Sequence, residues 1–183
     1  MEHGLTRMHI REANVPDAAA IAKVHVDSWR TTYTGVVADE YLAQLSYKQH
    51  EQVWRDSLSI HSTTEFVYVA EAEASNIIGF ASGGPERSGN TAYEGELYAI
   101  YLLEGYQRKG IGSQLVQIIA KRLMQEGLHS MLVWVLANNP SQDFYSALGG
   151  QQVYEQEITI GEASLVEVAY GWLDIRELVE TLN

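Results

Sequence analysis

The chain has 183 residues, of which 46% are hydrophobic and 20% charged, ordinary values for a soluble domain with its own core. It contains no cysteine, which excludes a disulfide framework, a thiolate metal site and a covalent cysteine intermediate. The formal net charge of -12 argues against a nucleic-acid-binding face. It favours cationic small molecules or peptides as partners, although such acidity also serves solubility alone. We expect one cytoplasmic domain over residues 1–183, with no membrane segment.

The first half of the chain predicts a strand, a group of helices and then a hairpin. The strand lies over Thr6–Arg11, and Asn14 followed by Pro16 is typical of a helix start. Apolar residues then recur at helical spacing to about Thr32. Further along are a broken helical region over Asp39–Leu45 and Tyr47–Leu58, and hairpin strands over Glu65–Ala72 and Asn76–Gly83.

The second half predicts two central strands, because Glu94–Leu102 and Met131–Leu136 are rich in apolar residues on both faces. Between them, apolar residues from Ile111 are spaced as one helix face that Gly127 can end. A short helix over Ser141–Leu148 and a closing hairpin over Gln152–Ile160 and Ala163–Trp172 follow. This order predicts an α/β sandwich around one mixed sheet. The tail, Asp174–Asn183, has helical spacing and can pack on the domain or pair with a second subunit.

A segment after the first central strand has the features of an anion site. Gln107-Arg108-Lys109-Gly110-Ile111-Gly112 leads directly into a helix, whose first N–H groups lack internal partners and carry partial positive charge. Gly110 and Gly112 allow a phosphate to approach the main chain, and Arg108 and Lys109 add charge. A diphosphate suits such a site. The alternative is a strand-to-helix turn that needs glycine for close packing.

Two motifs together resemble the GNAT superfamily of acyl-CoA-dependent N-acyltransferases. The pattern [QR]-x-x-G-x-[GA] is filled by Gln107, Gly110 and Gly112. The later stretch Leu132–Gly149 is similar to the family's next strand and helix, with matches at Asn139, Phe144, Tyr145 and Gly149. The resemblance implies an α/β fold: a single-domain mixed sheet of about seven strands, splayed centrally, with helices on both faces.

The resemblance implies acetyl-CoA as the acyl donor, with its pyrophosphate on the glycine-containing segment. Main-chain groups of Ile100 and Leu102 would bind the pantetheine arm as an added strand does, and Asn139 would bind its amides. Asn139 alternatively caps a helix or turn. The cofactor-binding residues so implied are Ile100, Tyr101, Leu102, Gln107, Arg108, Lys109, Gly110, Ile111, Gly112, Ser113, Asn139 and Tyr145.

Two catalytic residues are implied as well. Tyr145 would give a proton to the departing CoA thiolate, or would instead only pack in the core. Glu96 would deprotonate the acceptor amine. Glu94 or ordered water can take that role instead, and Glu96 can simply be a strand-start carboxylate.

The acceptor amine, on a small molecule or peptide, would lie against Trp29 and Tyr33, which alternatively pack the first helix on the sheet. The six histidines show no paired metal spacing, and no G-x-S-x-G occurs, so we expect no metal and direct transfer in a ternary complex. Competing interpretations are a non-catalytic acyl-CoA sensor and a nucleotide-phosphate-binding protein of another fold. A homodimer is expected from the family.

Overall fold

The computed structural model describes residues 8–60 and 62–180, so part of the first predicted strand, His3, His61 and Leu182 lie outside the described residues. One mixed sheet of seven strands has the order β1-β2-β3-β4-β5-β7-β6. The strands are β1 (His9–Glu12), β2 (Phe66–Glu71), β3 (Ile77–Pro85), β4 (Gly95–Leu102), β5 (Met131–Leu136), β6 (Gln151–Ile160) and β7 (Ala163–Trp172). The helices are α1 (Ala18–Thr32), α2 (Asp39–Gln44), α3 (Tyr47–Ser59), α4 (Ile111–Gln125), α5 (Gln142–Ala147) and α6 (Arg176–Glu180).

The predicted elements are confirmed, with small shifts at their ends. A 3-10 turn over Val15–Asp17 precedes α1, and the N–H of Asn14 donates to the carboxylate of Asp17. The helix α4 ends before Gly127, which adopts a φ of 81° as glycine at a helix end commonly does.

Helices cover both faces of the sheet and bury two apolar layers. On one face, α4 packs with Leu115 and Ile119 against strand residues such as Leu97. On the other face, α1 and α3 cover Phe80 and Tyr101. Because both faces are covered, β4 and β5 carry the near-continuous apolar runs seen in the sequence.

The described part of the C-terminal tail packs on this domain. Ile175 and Leu178 are buried in the same layer as α4, and Gln117 Nε2 donates to the carbonyl of Val179 at 3.0 Å. Residues 174–180 therefore pack on the domain, which is one of the two alternatives that the sequence left open.

The two central strands, β4 and β5, separate part-way along their length. They pair in parallel only at Gly95–Met131, Glu96–Leu132 and Leu97–Val133. Tyr98 is then an extra residue on β4, since Leu97 pairs with Gly83 of β3 and Ala99 pairs with Ser82. Such a bulge bends a strand and increases its twist, and β4 turns away from β5 at this point. The predicted central splay is therefore present.

The bulge also changes which side chains share a face. Leu97 lies on the α4 face, and strict alternation would place Ala99 and Tyr101 beside it. Instead Ile100 and Leu102 pack on that face, whereas Ala99 and Tyr101 pack against α1. One extra residue thus turns the ring of Tyr101 towards α1.

A partly buried ion network ties β1 to the start of α1. The Arg11 guanidinium donates to both carboxylate oxygens of Asp17 at 2.8 and 2.9 Å and to Glu71 at 2.8 Å. Asp17 is only 7% exposed. Hydrogen bonds from Arg11 lower the pKa of Asp17 below its ordinary value of 3.8.

Arg11→Met is expected to destabilise the fold by about 2–3 kcal/mol, because it leaves the Asp17 carboxylate buried without its cation. Since the folded pKa of Asp17 is lowered, its contribution is present above pH 3.8 and is lost as the pH falls through the folded value. The stability difference from wild type should therefore narrow in acid. Urea unfolding at several pH values measures it.

Lys23→Met is the matched control, since Lys23 forms an exposed pair with Asp27 within α1. It should cost about 0.5 kcal/mol or less. Equal costs for the two variants, or a difference for Arg11→Met that stays constant into acid, would contradict this account of Asp17.

Candidate active site

A cleft of about 790 Å³ opens where β4 and β5 separate. Its walls come from the end of α1, from β4 after the bulge, from β5 and from the start of α5. One end reaches the start of α4, and the other reaches Ile158 and Ile160 on β6 and Glu167 on β7. The splay therefore creates a continuous passage from a helix N-terminus to the far half of the sheet.

The glycine-containing segment forms the first end of this cleft. Gly110 is the N-cap of α4 with a φ of 80°, and Arg108 also has a positive φ, of 59°. A left-handed backbone is costly for Arg and free for Gly, so the loop is held in an uncommon shape. A Cβ added to Gly110 would meet no atom within 4 Å, which leaves open space before the helix N–H groups.

The predicted phosphate-binding side chains divide into two groups. Gln107, Arg108, Gly112 and Ser113 line the cleft. The Lys109 ammonium instead donates to the carbonyl of Gly105 at 2.9 Å, and the side chain of Ile111 is buried in the core. Only the main chain of these last two residues is placed to meet a ligand.

The main chain of β4 is open towards the cleft beyond the bulge. Leu103 donates its N–H to Ile78 of β3, and main-chain groups alternate sides along a strand, so Ile100 and Leu102 direct theirs to the opposite, unpaired side. The carbonyl of Leu102 is taken by Gln107 Nε2 at 3.0 Å. The main-chain N–H and carbonyl of Ile100 therefore face the splay without a strand partner.

Tyr145 on α5 brings a buried phenol to the cleft. Its side chain is 4% exposed and packs near Tyr170 and Trp172. Burial raises its pKa, and the nearby Tyr33 raises it further, whereas a hydrogen bond with Ser141 lowers it. The hydroxyl is therefore protonated at neutral pH and can act as a proton donor.

Asn139 links α5 to the end of α1. Its Oδ1 accepts from the N–H of Ser141 at 2.8 Å, as a turn-forming Asn does, and its Nδ2 donates to the hydroxyl of Tyr33 at 3.0 Å. The turn role predicted for Asn139 is present, and the residue also lines the cleft. Tyr33, buried at 5% exposure, is thereby held at the cleft wall, where it packs in one cluster with Leu136 of β5.

Trp29 and Tyr101 form a second fixed pair at the cleft wall. Trp29 Nε1 donates to the hydroxyl of Tyr101 at 2.9 Å, and its ring lies 4.6 Å from that of Tyr33. Burial raises the pKa of Tyr101. Both Trp29 and Tyr33 line the cleft while packing α1 on the sheet. Their predicted contact with the acceptor stays a prediction.

Comparisons with known proteins agree with this geometry. The family model described as FR47-like protein matches residues 90–159. The uncharacterized N-acetyltransferase YuaI of Bacillus subtilis (strain 168) is 45% identical over 174 residues, which cover 95% of this chain and 98% of YuaI. The chain belongs to the GNAT superfamily of N-acetyltransferases.

Two more distant GNAT proteins extend the comparison. Spermidine N(1)-acetyltransferase of Thermoplasma acidophilum is 24% identical over 166 residues, covering 89% of this chain and 98% of the relative. The crystal structure of PaiA N-acetyltransferase from the same organism, in complex with coenzyme A, superposes with a TM-score of 0.71 at 21% identity. It covers 88% of this chain and 98% of the solved one, and shows the shared fold.

These findings identify a GNAT N-acetyltransferase, which takes its acetyl group from acetyl-CoA. They give no support to a non-catalytic sensor. The shared fold also removes the alternative of a nucleotide-phosphate-binding protein of another architecture.

The residues of this GNAT chain fit acetyl-CoA. The open space before Gly110 and the start of α4 suit a pyrophosphate, and the unpaired edge of β4 suits an extended amide-containing arm. The cleft volume lies within the range of about 300–1,000 Å³ usual for such ligands. Gly112 lets the ring of Phe144 approach the helix start, since a Cβ there would lie 3.4 Å from Phe144 Cζ.

The two carboxylates considered as a base lie away from the cleft. Glu96 is 5% exposed and forms an ion pair with Arg87 at 2.8 Å, while the Arg87 N–H also donates to it at 3.1 Å. Glu94 is exposed and accepts from the N–H of His129 at 2.7 Å. Neither is among the lining residues.

Several residues that line the GNAT cleft were not predicted from the sequence, among them Ser28 on α1, Trp134 on β5 and Glu167 on β7. For Ser28 and Trp134, the only indication in the sequence was their position beside predicted site elements. For Glu167 there was one more, because it is an isolated carboxylate between apolar neighbours on a predicted strand.

Within residues 8–60 and 62–180, no His, Asp and Glu side chains form a group of three or more that could hold a metal ion. None of the helices in those ranges has the length and apolar content needed to cross a membrane.

Gly110→Asp is expected to weaken acetyl-CoA binding at least about tenfold, or about 1.4 kcal/mol, because a carboxylate would occupy the space before the α4 N-terminus. Calorimetric titration with acetyl-CoA measures the dissociation constant.

Gly89→Asp provides a matched control. Gly89 also has a positive φ, of 78°, with no atom within 4 Å of an added Cβ, and it does not line the cleft. Both variants carry the same left-handed strain of about 1–2 kcal/mol. An equal loss of acetyl-CoA affinity in both variants would mean that the substitutions act through folding. It would contradict the assignment of a phosphate site to the start of α4.

Proposed function

We propose that this protein acetylates a primary amine of a small molecule by direct attack on acetyl-CoA in a ternary complex. The observation that carries the proposal is the cleft itself, where the α4 N-terminus, the open edge of β4 and the phenol of Tyr145 meet in one passage. An amine entering from the β6–β7 end and a thioester entering from the α4 end would meet at the splay.

The start of α4 and its preceding loop would hold the pyrophosphate. The first N–H groups of the helix, with Arg108 beside them, supply positive charge, and Ser113 adds a hydroxyl in the first turn. The main chain of Ile100 would bind the pantetheine arm, while Asn139 orients Tyr33 and the start of α5. When bound, acetyl-CoA supplies the activated acetyl group that the amine attacks.

Tyr145 would act as the general acid at the leaving sulfur. Burial raises the pKa of Tyr145, so the phenol carries its proton at neutral pH and can donate it to the departing thiolate. Packing against Tyr170 and Trp172 restricts the ring, which favours a fixed position of the hydroxyl.

The amine would lose its proton to water rather than to Glu96. The carboxylate of Glu96 accepts hydrogen bonds from three donors of Arg87, namely its main-chain N–H, Nε and Nη2, and does not line the cleft. A water molecule in the cleft would then take the proton from the attacking nitrogen. Mutation of Glu96 should therefore act mainly through the ion pair and stability.

The acceptor would be a small amine that fits between α1 and the β5–β7 half of the sheet. Trp29 and Tyr33 form one wall of that space. A relative named for spermidine acetylation supports a small polar amine over a folded protein surface. Homodimer formation stays a prediction, which sedimentation analysis can measure.

Tyr145→Phe is expected to lower kcat about 100-fold, the usual scale for loss of a general acid, while the Kd for acetyl-CoA stays unchanged. Thiol release with an accepted amine gives kcat, and calorimetry gives Kd.

Tyr170→Phe is the control for aromatic packing. Tyr170 is also buried, but its hydroxyl donates to Gln142 at 3.3 Å and does not line the cleft. It should retain most activity. Full activity in Tyr145→Phe would remove that residue from the chemistry, and equal loss in both variants would mean a packing effect.

A further inference from the structure

The face of the sheet beyond the splay carries one isolated carboxylate. Along β7, Val168 and Tyr170 pack in the α4 layer, so Glu167 and Ala169 lie on the opposite face. Register places Trp134 of β5 opposite Ala169, and Gln156 of β6 opposite Glu167. Glu167 therefore stands on the floor of the cleft.

Glu167 is unusual among the charged lining residues. The other three, Glu104, Arg108 and Asp143, belong to the segments at the starts of α4 and α5, near the phosphate end. Glu167 is half-buried, and one of its oxygens accepts from Gln156. Within the described ranges, no Lys, Arg or His forms an ion pair with it. A half-buried carboxylate without a cation is suited to bind one from a ligand.

An aromatic surface adjoins this carboxylate. Trp134 is half-buried and lines the cleft, and its ring stacks on Tyr154 at 6.4 Å with an interplanar angle of 26°. The exposed face of such an indole attracts a cation, most strongly where water is partly excluded. A carboxylate and an indole on the same face together select a positively charged, partly apolar group.

A third observation comes from the opposite wall. Ser28 of α1 is 4% exposed, lines the same cleft, and its Oγ has no hydrogen-bond partner among the described residues. A buried hydroxyl left unpaired costs about 1–3 kcal/mol, so the Ser28 hydroxyl is available to a polar group of a ligand. The wall of the cleft formed by α1 therefore offers one hydrogen-bonding group.

The carboxylate of Glu167 lies close enough to the tyrosines of the splay to affect them electrostatically. Its field contributes to the raised pKa of Tyr33, after the larger effect of burial. Tyr33 in turn influences Tyr145 across the splay. Glu167 thus lies on the acceptor side of the same cluster of hydroxyl groups.

A cationic nitrogen that pairs with Glu167 would not be the nitrogen that attacks the thioester. An adjacent carboxylate stabilises an ammonium and so opposes the deprotonation that attack requires. The reacting nitrogen must therefore be a different one, placed at the splay beside Tyr33 and Tyr145.

Building on the proposed function, we infer that Glu167 and Trp134 form a subsite for a second ammonium group of the acceptor. The acceptor class is then a linear aliphatic diamine or polyamine, with one amine at the splay and another cationic nitrogen at Glu167. The aliphatic spacer lies along the apolar wall formed by β5.

The test compares putrescine with butylamine, which has the same chain length and a single nitrogen. Wild-type protein should acetylate putrescine with a clearly higher kcat/KM. Glu167→Gln should raise KM for putrescine about tenfold, the loss of one charge-assisted contact, with little change in kcat. The kinetics with butylamine and the Kd for acetyl-CoA should stay at wild-type values.

Glu155→Gln is the matched control. Glu155 pairs in register with Val168, so it lies one strand away on the opposite face, exposed, with the same charge change. Trp134→Leu should weaken putrescine selectivity in the same direction as Glu167→Gln. Calorimetry of putrescine with the CoA-bound protein gives a readout independent of turnover.

The outcomes separate this inference from the function on which it rests. No acetylation of any amine, or no binding of acetyl-CoA, would sink the proposed function itself. Acetylation of butylamine as efficiently as putrescine, or equal effects of Glu167→Gln on both amines, would overturn only the second-ammonium subsite. An equal effect of Glu155→Gln would attribute the change to net charge and would overturn it too.

Discussion

Hydrogen bonding between β4 and β5 stops after Leu97 and Val133, and the rest of the site depends on that interruption. Two parallel central strands normally satisfy each other along their length, so opening them leaves main-chain groups of β4 without a strand partner. The extra residue Tyr98 maintains the opening, because its hydroxyl donates to Pro85 at 2.6 Å and Arg87 lies 3.7 Å from its ring centroid. The cleft is thus held open by bonds on the far side of β4.

That arrangement also explains why Glu96 is buried with Arg87. The guanidinium stacks on Tyr98 while it pairs with Glu96, so the ion pair and the bulge stabilise the same bend. Across the opening, a hydrogen bond from Asn139 to Tyr33 connects the segment before α5 to the end of α1. This bond favours one width of the splay, as a site that must align two reactants requires.

The sequence predicted the fold and the glycine-containing loop at the start of α4 well, because those features depend on local signals. Glycine at a helix start and apolar runs in buried strands predict the same local structure whatever the position of the element in the sheet. The direction of Glu96 and Tyr101 could not be predicted, since one bulged residue reverses the alternation of β4. Glu167 was missed for a related reason: its importance comes from β5 and β6 beside it, which only the strand order brings together.

Charged groups are distributed unevenly along the cleft. At one end, the α4 N-terminus and Arg108 supply the positive charge that the proposed phosphate site uses, while Glu104 and Asp143 lie on the neighbouring segments. Glu167 lies at the other end, where an anion would meet a half-buried carboxylate and the field of a chain with net charge -12. In the proposed reaction, donor and acceptor would enter one passage from different sides and meet at its middle. Tyr33 and Tyr145 lie in that middle section as neutral phenols, because burial raises the pKa of both, and neither Glu94 nor Glu96 lines the cleft.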